Sequence, residues 1–413
     1  MSEKENNSFK IVNKSCLDTF KKFDNSDLYK YLEEEKLLIK HEIVEEKKDK
    51  IVLKMEDVPF ISYPYEWCFD EFMDAALLIL RIERVALDYG YDLEDISVFN
   101  VQFLGGKPIY VDSLSFKEYE EGKPWKAYYK FCKQFVAPLV LMAKVDERLN
   151  GLLNINPDGI PFDLTLSILK HRGGLIVWEH IKLPNKAIKN NKKTKVRMTK
   201  RSVINIIELL IRQISNLRIK SSYCDNVDYS SSYFKAKQIL VKNYLKRVKL
   251  NKGDIVCDFL ANDGTFSRIA VDLGAYVLAL DIDYNAVREN YLRHSNKKEM
   301  MLPLVLDLNK NNERINVKCI LVLDLICYIS ISNYTSFNDY FASLKDMCKY
   351  VIIEFVPKND SQVEKLLQLN EDLYLEYNEN NFENCAKKYF RIIMKEEIFS
   401  SNRILYLMEG NSK

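Results

Sequence analysis

The second half of the chain alternates between short apolar runs and longer stretches in which apolar residues recur at helical spacing. Apolar runs bounded by turn residues are typical of buried strands, and a spacing of three and four residues is typical of amphipathic helices. The runs that predict strands are residues 255–258, 276–281, 302–306, 319–325 and 350–356, and the helical stretches between them are residues 266–273, 285–295 and 336–348. Strands that alternate with helices form βαβ units, so this half predicts a parallel, doubly wound α/β sheet.

The end of the chain departs from this alternation. Residues 389–398 and 403–408 predict two strands that are separated by a tight turn at Ser400, Ser401 and Asn402. Strands joined by such a short turn pair antiparallel. The sheet is therefore expected to close with an antiparallel hairpin, which an ordinary dinucleotide-binding sheet lacks.

The first half has a mixed α+β pattern. Residues 69–89 and 125–149 predict long helices, and a turn at residues 104–108 predicts a hairpin. We expect this half to form a domain of its own, because its pattern differs from the regular alternation that follows.

A basic segment divides the two halves. Residues 186–201 contain eight lysines and arginines and no acidic residue. The segment either binds phosphate, in RNA or in a charged substrate, or is a solvated linker. The lack of interleaved aromatic residues favours the linker. We therefore predict an α+β domain at residues 1–183, a basic linker at residues 184–201, and a second domain with leading helices at residues 202–413.

Composition narrows the possible partners. The 413 residues include 61 lysines and arginines against 59 acidic residues, so the whole chain has no field that would indicate nucleic acid as a partner. The longest uncharged apolar run, residues 135–143, is far shorter than the roughly 20 residues that span a bilayer, so no membrane span is expected. The N-terminal residues lack the apolar region of a secretory signal, and we expect a cytoplasmic protein.

Neither the cysteines nor the histidines predict a metal site. The nine cysteines are scattered without CxxC spacing, and the four histidines form no cluster. Most of the cysteines lie in apolar stretches, where a free cysteine behaves as a small hydrophobic residue. Nothing in the sequence indicates an oligomeric state.

Acidic residues stand at three consecutive strand ends. Asp258, Asp281 and Asp307 end or follow the first three predicted strands, and Asp283 comes two residues after Asp281. Ligands of a doubly wound sheet bind outside the carboxyl ends of its strands. Each aspartate taken alone has an alternative role as a helix cap or turn residue. Together they predict a site for an adenosine-containing cofactor, with Asp281 on the ribose hydroxyls and Asp307 on the adenine amino group.

The loop after the first of these strands carries a family resemblance. The segment IVCDFLANDGTFSRIAVDLGAYVLALDIDYNAV resembles the first two motifs of class I S-adenosylmethionine-dependent methyltransferases, in which an acidic residue opens an (Asp/Glu)-x-Gly-x-Gly-x-Gly loop. Asp258 and Gly264 match that pattern, whereas Leu260 and Asn262 replace its first and middle glycines. The resemblance implies S-adenosylmethionine as cofactor and a Rossmann-like fold for this domain. The cofactor-binding residues that it implies are Asp258, Leu260, Asn262, Gly264, Asp281, Ile282, Asp283, Asp307, Leu308 and Asp324.

More of the chain resembles a narrower group. LPLVLDL, ILVLDLICYI and VIIEFVPKNDSQVEKLL in the second half, and VPFISYPYEW and FNVQFLGGKPIYVDSLSF in the first, are similar to a bacterial subfamily of two-part methyltransferases that includes nodulation host-specificity proteins. In that subfamily a His-His pair follows the fourth strand, where this chain has Cys327 and Tyr328. This departure removes an imidazole base from the strand.

We predict methyl transfer to a hydroxyl of a small-molecule or glycan-type acceptor. A hydroxyl acceptor needs a base to remove its proton, and Glu354 at the end of the fifth strand is the best placed carboxylate. Glu354 has a structural alternative, an ion pair with Lys358. Leu260 leaves a second interpretation open, a non-catalytic scaffold or regulatory protein, because a side chain there adds bulk and a strain of roughly 1–2 kcal/mol. An NAD-type oxidoreductase fits less well, since GxGxxG is missing.

The first half contains two aspartates and an asparagine whose spacing resembles that of a known catalytic motif. Asp95, Asn100 and Asp112 resemble the catalytic and metal-binding loops of protein kinases, which implies a kinase-like C-lobe as one interpretation of this domain. The His-Arg pair before the first aspartate, the Phe-Gly pair after the last and a glycine-rich phosphate loop are missing. The structural alternative is that Asp95 caps a turn while Asn100 and Asp112 bond the hairpin.

Overall fold

The chain divides into two compact units, Met1–Ser221 and Ser222–Lys413. The computed structural model describes residues 9–189, 197–219, 231–294, 300–307, 314–332, 335–369 and 376–411. The helix Lys200–Ser215, which the sequence predicted at the start of the second domain, belongs to the first unit. It does so because it packs against the helix Phe69–Asp88, and its buried stripe consists of Val203, Ile207, Leu210 and Ile214.

The first unit is built from short antiparallel sheets and helices. Its strands are β1 (Phe9–Asn13), β2 (His41–Glu46), β3 (Lys50–Met55), β4 (Tyr91–Leu93), β5 (Val101–Leu104), β6 (Lys107–Tyr110) and β7 (Phe116–Glu118). Its helices are α1 (Leu17–Asp24), α2 (Asp27–Glu34), α3 (Phe69–Asp88), α4 (Tyr128–Phe131), α5 (Ala137–Lys144), α6 (Leu152–Ile155), α7 (Phe162–Leu169), α8 (Gly174–Val177), α9 (Leu183–Lys189) and α10 (Lys200–Ser215). β1, β3 and β2 form one sheet, β4 pairs with β7, and β5 pairs with β6. The hairpin predicted around residues 104–108 is therefore present as β5 and β6.

The helix predicted at residues 125–149 is interrupted. α4 passes into a π-helical turn, Cys132–Val136, before α5 begins. Pro138 lies at the start of α5. Proline lacks an N–H, and its ring collides with the carbonyl of the residue four positions earlier, so the helix widens at this point. Apolar periodicity alone did not reveal the break.

The second unit contains the large sheet. Its strands are β8 (Ile255–Phe259), β9 (Tyr276–Asp281), β10 (Met301–Val305), β11 (Val317–Val322), β12 (Cys348–Phe355), β13 (Phe390–Glu397) and β14 (Ile404–Gly410). Its helices are α11 (Ser232–Val248), α12 (Thr265–Val271), α13 (Tyr284–His294), α14 (Phe337–Met347), α15 (Ser361–Leu369) and α16 (Glu379–Ala386). Among the described residues the strand order is β10-β9-β8-β11-β12-β14-β13.

The direction of the strands confirms the predicted fold. β8 to β12 pair in parallel, whereas β14 is antiparallel to both β12 and β13. A parallel α/β sheet closed by an antiparallel hairpin is the Rossmann-like arrangement predicted for a class I methyltransferase. From β8 the chain crosses to β9 on one side and later returns to β11 on the other, so the sheet has its switch point between β8 and β11.

The core of the second unit lies on the sheet. Every residue of β9 is buried, and helix α11 covers one face with Val241, Tyr244 and Leu245. Strands covered on both faces form continuous apolar runs. These buried strands give the loops at their carboxyl ends a rigid base.

Candidate functional site

The carboxyl ends of the central strands lie side by side at one edge of the sheet. Phe259, the last residue of β8, pairs with Leu280 of β9 and with Val322 of β11. Leu260 and Asp281 therefore leave the sheet at the same level. This edge, next to the switch point, is where a doubly wound sheet binds ligands.

The loop between β8 and α12 has the backbone of a glycine-rich turn. Leu260, Asn262 and Gly264 have φ angles of 59°, 50° and 77°, all in the left-handed region. The amide of Ala261 donates to the carbonyl of Leu280 at 3.0 Å, which ties the loop to β9. The alternating left-handed positions coincide with the three glycine positions of the motif that the sequence resembles, although two of them carry side chains here.

Gly264 is required at its position for two reasons. Its φ of 77° disfavours a side chain, and a Cβ placed there would lie 2.4 Å from Oδ1 of Asn290. Asn290, on α13, is buried, and this Oδ1 has no hydrogen-bond partner among the described residues. The close contact brings α13 against the start of α12.

Asp258, in β8, contacts the helix that follows the loop. Its side chain is buried, and its Oδ2 accepts a hydrogen bond from the Ser267 hydroxyl on α12 at 2.6 Å. Burial raises the pKa of Asp258 to about 7, although the Ser267 hydrogen bond and the charge of Lys237 act in the opposite direction. Asp258 therefore connects β8 to α12.

Asp281 links the second strand to the loop. Its Oδ2 accepts from the Asn262 amide at 2.9 Å, and its Oδ1 accepts from the Asp283 amide at 3.0 Å. Burial raises the pKa of this carboxyl, and the two amides oppose that effect. One carboxylate thus fixes both the loop after β8 and the turn after β9.

The remaining cofactor candidates lie further along the same edge. The Ile282 side chain is 61% exposed. Asp283 accepts from the Asn285 amide at 2.9 Å at the start of α13, which is the turn role that the sequence left open. Asp307 comes two residues after β10, and Leu308 lies outside the described residues.

Glu354 does not fit the predicted role of a base. The side chain is 0% exposed, and the hydroxyl of Tyr233 donates to its Oε1 at 2.7 Å. Its Oε2 lies 2.6 Å from the Lys237 ammonium and accepts from the Asp324 amide at 3.0 Å. A carboxylate enclosed by three donors cannot reach an acceptor hydroxyl. The expectation for Glu354 is therefore corrected: its partners are Tyr233, Lys237, Arg403 and the Asp324 backbone, and it anchors the end of β12.

Asp324 is the partly exposed carboxylate at this edge. One of its oxygens binds the Lys237 ammonium and the other binds the Arg403 guanidinium. Arg403 in turn holds Asp360 through two nitrogens at 2.8 and 3.0 Å. Burial acts to raise the pKa of Asp324, but the charges of Lys237 and Arg403 outweigh it and lower that pKa. Asp324 is thus kept ionised.

The partners of Glu354 and Asp324 were not predicted from the sequence. The position of Lys237 does carry a signal, because it falls on the stripe of α11 that otherwise contains buried residues such as Phe234 and Val241. A lysine on such a stripe needs a carboxylate partner. Arg403 gave no such signal, because it follows the hairpin turn, where charged residues are common.

The residues that replace the family His-His pair lie next to Asp324. Cys327 is buried, and its thiol donates to the Asp324 carbonyl at 3.6 Å. Burial raises the pKa of this thiol to about 12. Tyr328 is exposed and begins a π-helical turn, Tyr328–Ser332. The buried thiol therefore offers no thiolate to the site.

The kinase-like spacing in the first unit is only partly assembled. Nδ2 of Asn100 donates to Oδ2 of Asp112 at 3.4 Å, and Lys10 of β1 pairs with the same carboxylate. The Asp95 carboxylate binds Lys130 at 2.7 Å and is 78% exposed, whereas its carbonyl accepts from Ser115. The hydrogen bond between Asn100 and Asp112 matches the structural alternative, and the kinase-like interpretation stays a prediction.

The described residues show neither a candidate metal cluster nor a helix that could cross a membrane. Across the described ranges, no three His, Cys, Asp or Glu side chains come together in a way that would hold a metal ion. Within the same ranges, no helix has the length and apolar character needed to cross a membrane.

Comparison with known proteins supports the interpretation from the motifs. No family model matches the chain. Nodulation protein NoeA of Rhizobium meliloti (strain 1021) is similar to it, with 28% identity over 382 residues, 84% of this chain and 80% of that protein. A match of this length includes residues of both units, and it confirms the predicted resemblance to nodulation proteins.

Solved methyltransferases are similar to a part of the chain. N-methyltransferase NodS from Bradyrhizobium japonicum WM9 is 6% identical, covers 45% of this chain and 99% of its own, and has a TM-score of 0.37. Magnesium protoporphyrin IX methyltransferase from Synechocystis PCC 6803, with bound S-adenosylhomocysteine, is 15% identical, covers 46% of this chain and 90% of its own, and has a TM-score of 0.35. The fold assignment rests on the strand order of the second unit and not on these two structures.

Proposed function

We propose that the chain is an S-adenosylmethionine-dependent methyltransferase that binds its cofactor at the carboxyl edge of β8 and β9. The placement of Asp281 against the left-handed loop is the observation that supports this most strongly. A carboxylate has about four acceptor positions, and the amides of Asn262 and Asp283 each take a position on a different oxygen. The other positions suit the two adjacent hydroxyls of a ribose.

Neighbouring residues suit the other parts of the cofactor. The exposed Ile282 side chain offers an apolar surface for an adenine ring, and Asp307, two residues after β10, would face its edge. The backbone of Leu260 and Asn262 would face the methionyl part, with Asp258 holding this loop through α12. When bound, S-adenosylmethionine supplies a methyl group activated by its sulfonium.

The acceptor in this proposal is a small molecule or a glycan-type compound. The near balance of 61 basic and 59 acidic residues gives no support to nucleic acid. A hydroxyl acceptor needs a base, and Glu354 was the predicted one. Since Glu354 is enclosed by Tyr233 and Lys237, the hydroxyl acceptor loses that support.

Leu260 supports a second candidate, a non-catalytic scaffold or regulatory protein. Its side chain is half-buried at the first glycine position of the loop, where a cofactor would approach the backbone. A bulky side chain there would weaken binding without unfolding the loop. The scaffold therefore predicts a folded second unit with little or no affinity for the cofactor.

Isothermal titration calorimetry of the full chain separates the two candidates. We expect S-adenosylmethionine and S-adenosylhomocysteine to bind with a Kd on the order of 10 μM, and Asp281→Ala to raise it at least about tenfold. Asp272→Ala is the matched control, because Asp272 is exposed before β9 begins, at the opposite edge of the sheet. Absence of binding heat at about 1 mM ligand would contradict the enzyme proposal and favour the scaffold.

A further inference from the structure

The buried cluster around Glu354 contains one carboxylate more than cations, and Asp324 is the most exposed of its five charged side chains. Three carboxylates, those of Asp324, Glu354 and Asp360, meet the two cations Lys237 and Arg403, which leaves a net charge of −1. The Glu354 and Lys237 side chains are at most 1% exposed, and those of Arg403 and Asp360 are each 12% exposed. The Asp324 side chain is 36% exposed. Asp324 is therefore the charged side chain through which this cluster, with its net charge of −1, meets solvent.

Asp324 lies beside the loop that is proposed to hold the cofactor. Val322 pairs with Phe259, so Asp324 stands two residues beyond this pair, across the switch point from the loop after β8. Lys237 and Arg403 each hold one carboxylate oxygen, and the Asp324 backbone has a left-handed φ of 58°. The carboxylate is thus fixed in place rather than free to follow a ligand.

A fixed negative charge discriminates between classes of acceptor. A hydroxyl acceptor needs a base and develops negative charge as it loses its proton, which a neighbouring carboxylate opposes. Asp324 is a weak base, because two cations hold it ionised. A neutral amine needs no base before it reacts, and its nitrogen becomes positively charged during the transfer, which a fixed carboxylate stabilises.

We propose that Asp324 supplies the negative charge at the point of methyl transfer and that the acceptor is an amine. The amine lone pair forms the new N–C bond while the C–S bond breaks, and the electron pair of that bond goes to sulfur. The resulting ammonium lies against Asp324 and then releases one proton to water. Lys237 and Arg403 are positioning residues that act through Asp324. The proposal rests on S-adenosylmethionine being the methyl donor.

The test uses two ligands that differ at the point of transfer. Sinefungin carries a charged amine where S-adenosylmethionine carries its methyl group, whereas S-adenosylhomocysteine carries nothing there. We expect the full-length wild-type chain to bind sinefungin with a Kd about tenfold lower than that of S-adenosylhomocysteine, as measured by calorimetry. In Asp324→Asn the ratio should fall to about threefold or less, and in the control Asp272→Asn it should stay at the wild-type value.

Each outcome decides whether Asp324 supplies the charge on which the amine acceptor is argued. A wild-type ratio near one overturns the proposal without any variant, so a failure of Asp324→Asn to fold does not leave it untested. A wild-type preference that survives in folded Asp324→Asn assigns the charge to another residue and also overturns it. A loss of S-adenosylhomocysteine affinity in Asp324→Asn would make Asp324 a cofactor ligand instead. Failure of the wild-type chain to bind either ligand contradicts the proposed function itself, which distinguishes the two.

Discussion

Replacing Leu260 by glycine and by alanine separates the cost of its backbone conformation from the contacts of its side chain. Leu260 has a φ of 59°. A side chain in this region costs roughly 1–2 kcal/mol, and glycine is free of that cost. Both variants lose the same leucine contacts and differ only by a Cβ. In ordinary helix or strand positions, glycine is less stable than alanine by about 0.5–1 kcal/mol.

We expect the order to be reversed at residue 260. The strain that glycine removes exceeds the chain entropy that it adds, so Leu260→Gly should be more stable than Leu260→Ala by about 1 kcal/mol. Urea denaturation followed by circular dichroism gives the two free energies of unfolding. Ala261 is the control, because it is the next residue and does not have a positive φ. Ala261→Gly should lower the free energy of unfolding by about 1 kcal/mol.

The same pair of variants tests the loop as a binding element. The strain is present with and without ligand, so it cancels in binding, and the two variants should bind S-adenosylhomocysteine with Kd values within about threefold of each other. If Leu260→Ala proves to be the more stable variant, the loop is not left-handed at this residue. Leu260 would then lack the backbone conformation that the proposed cofactor loop requires.

Three further predictions concern the same unit. Burial raises the pKa of Asp258 from an ordinary value of about 4 to about 7, so the folded chain holds this proton more tightly, and its stability should fall by up to about 4 kcal/mol between about pH 4 and about pH 7. In urea denaturation, the free energy of unfolding of Asp258→Asn should lack this part of the pH dependence. A pH dependence equal to that of the wild-type chain would contradict the raised pKa of Asp258. Lys237→Met leaves buried carboxylates unpaired and should cost about 3–5 kcal/mol by the same method. Lys395→Met removes an exposed ion pair and should lower the free energy of unfolding by less than about 1 kcal/mol. Equal losses of stability in Lys237→Met and Lys395→Met would argue against the buried cluster. Gly264→Ala should lower the melting temperature because of the 2.4 Å contact with Asn290, and adding Asn290→Ala should restore part of it, whereas an unchanged melting temperature in Gly264→Ala would exclude that contact.

The sheet of the second unit could be predicted closely because its strands are buried on both faces. The apolar run at residues 276–281 coincides with β9, and the terminal hairpin follows from the short turn between two apolar runs. Helix α16 was not predicted, since it is short and polar and is defined by an Asn378 cap rather than by a long apolar stripe. The sequence pattern does not show to which unit α10 belongs, because amphipathicity shows that a helix packs, but not against which element.

The candidate site could be predicted where one strand end determines the position of a residue. The positions of Asp281 and of the loop from Leu260 to Gly264 follow from the strand order alone, which the sequence pattern indicates. The role of Glu354 depended on contacts that no local pattern contains. Lys237 precedes the sheet and Arg403 follows the last turn, and folding brings both to the end of β12. Because these distant partners bury Glu354, it anchors the end of β12 and does not act as the expected base.

A crystal structure of the full chain with S-adenosylhomocysteine tests the central claim most directly. The account predicts ligand density between the loop after β8 and the turn after β9, with the ribose hydroxyls on Asp281, the adenine over Ile282 and the sulfur toward Asp324. Density at another place in the chain, or no density in crystals soaked at about 1 mM ligand, well above a Kd on the order of 10 μM, would contradict it.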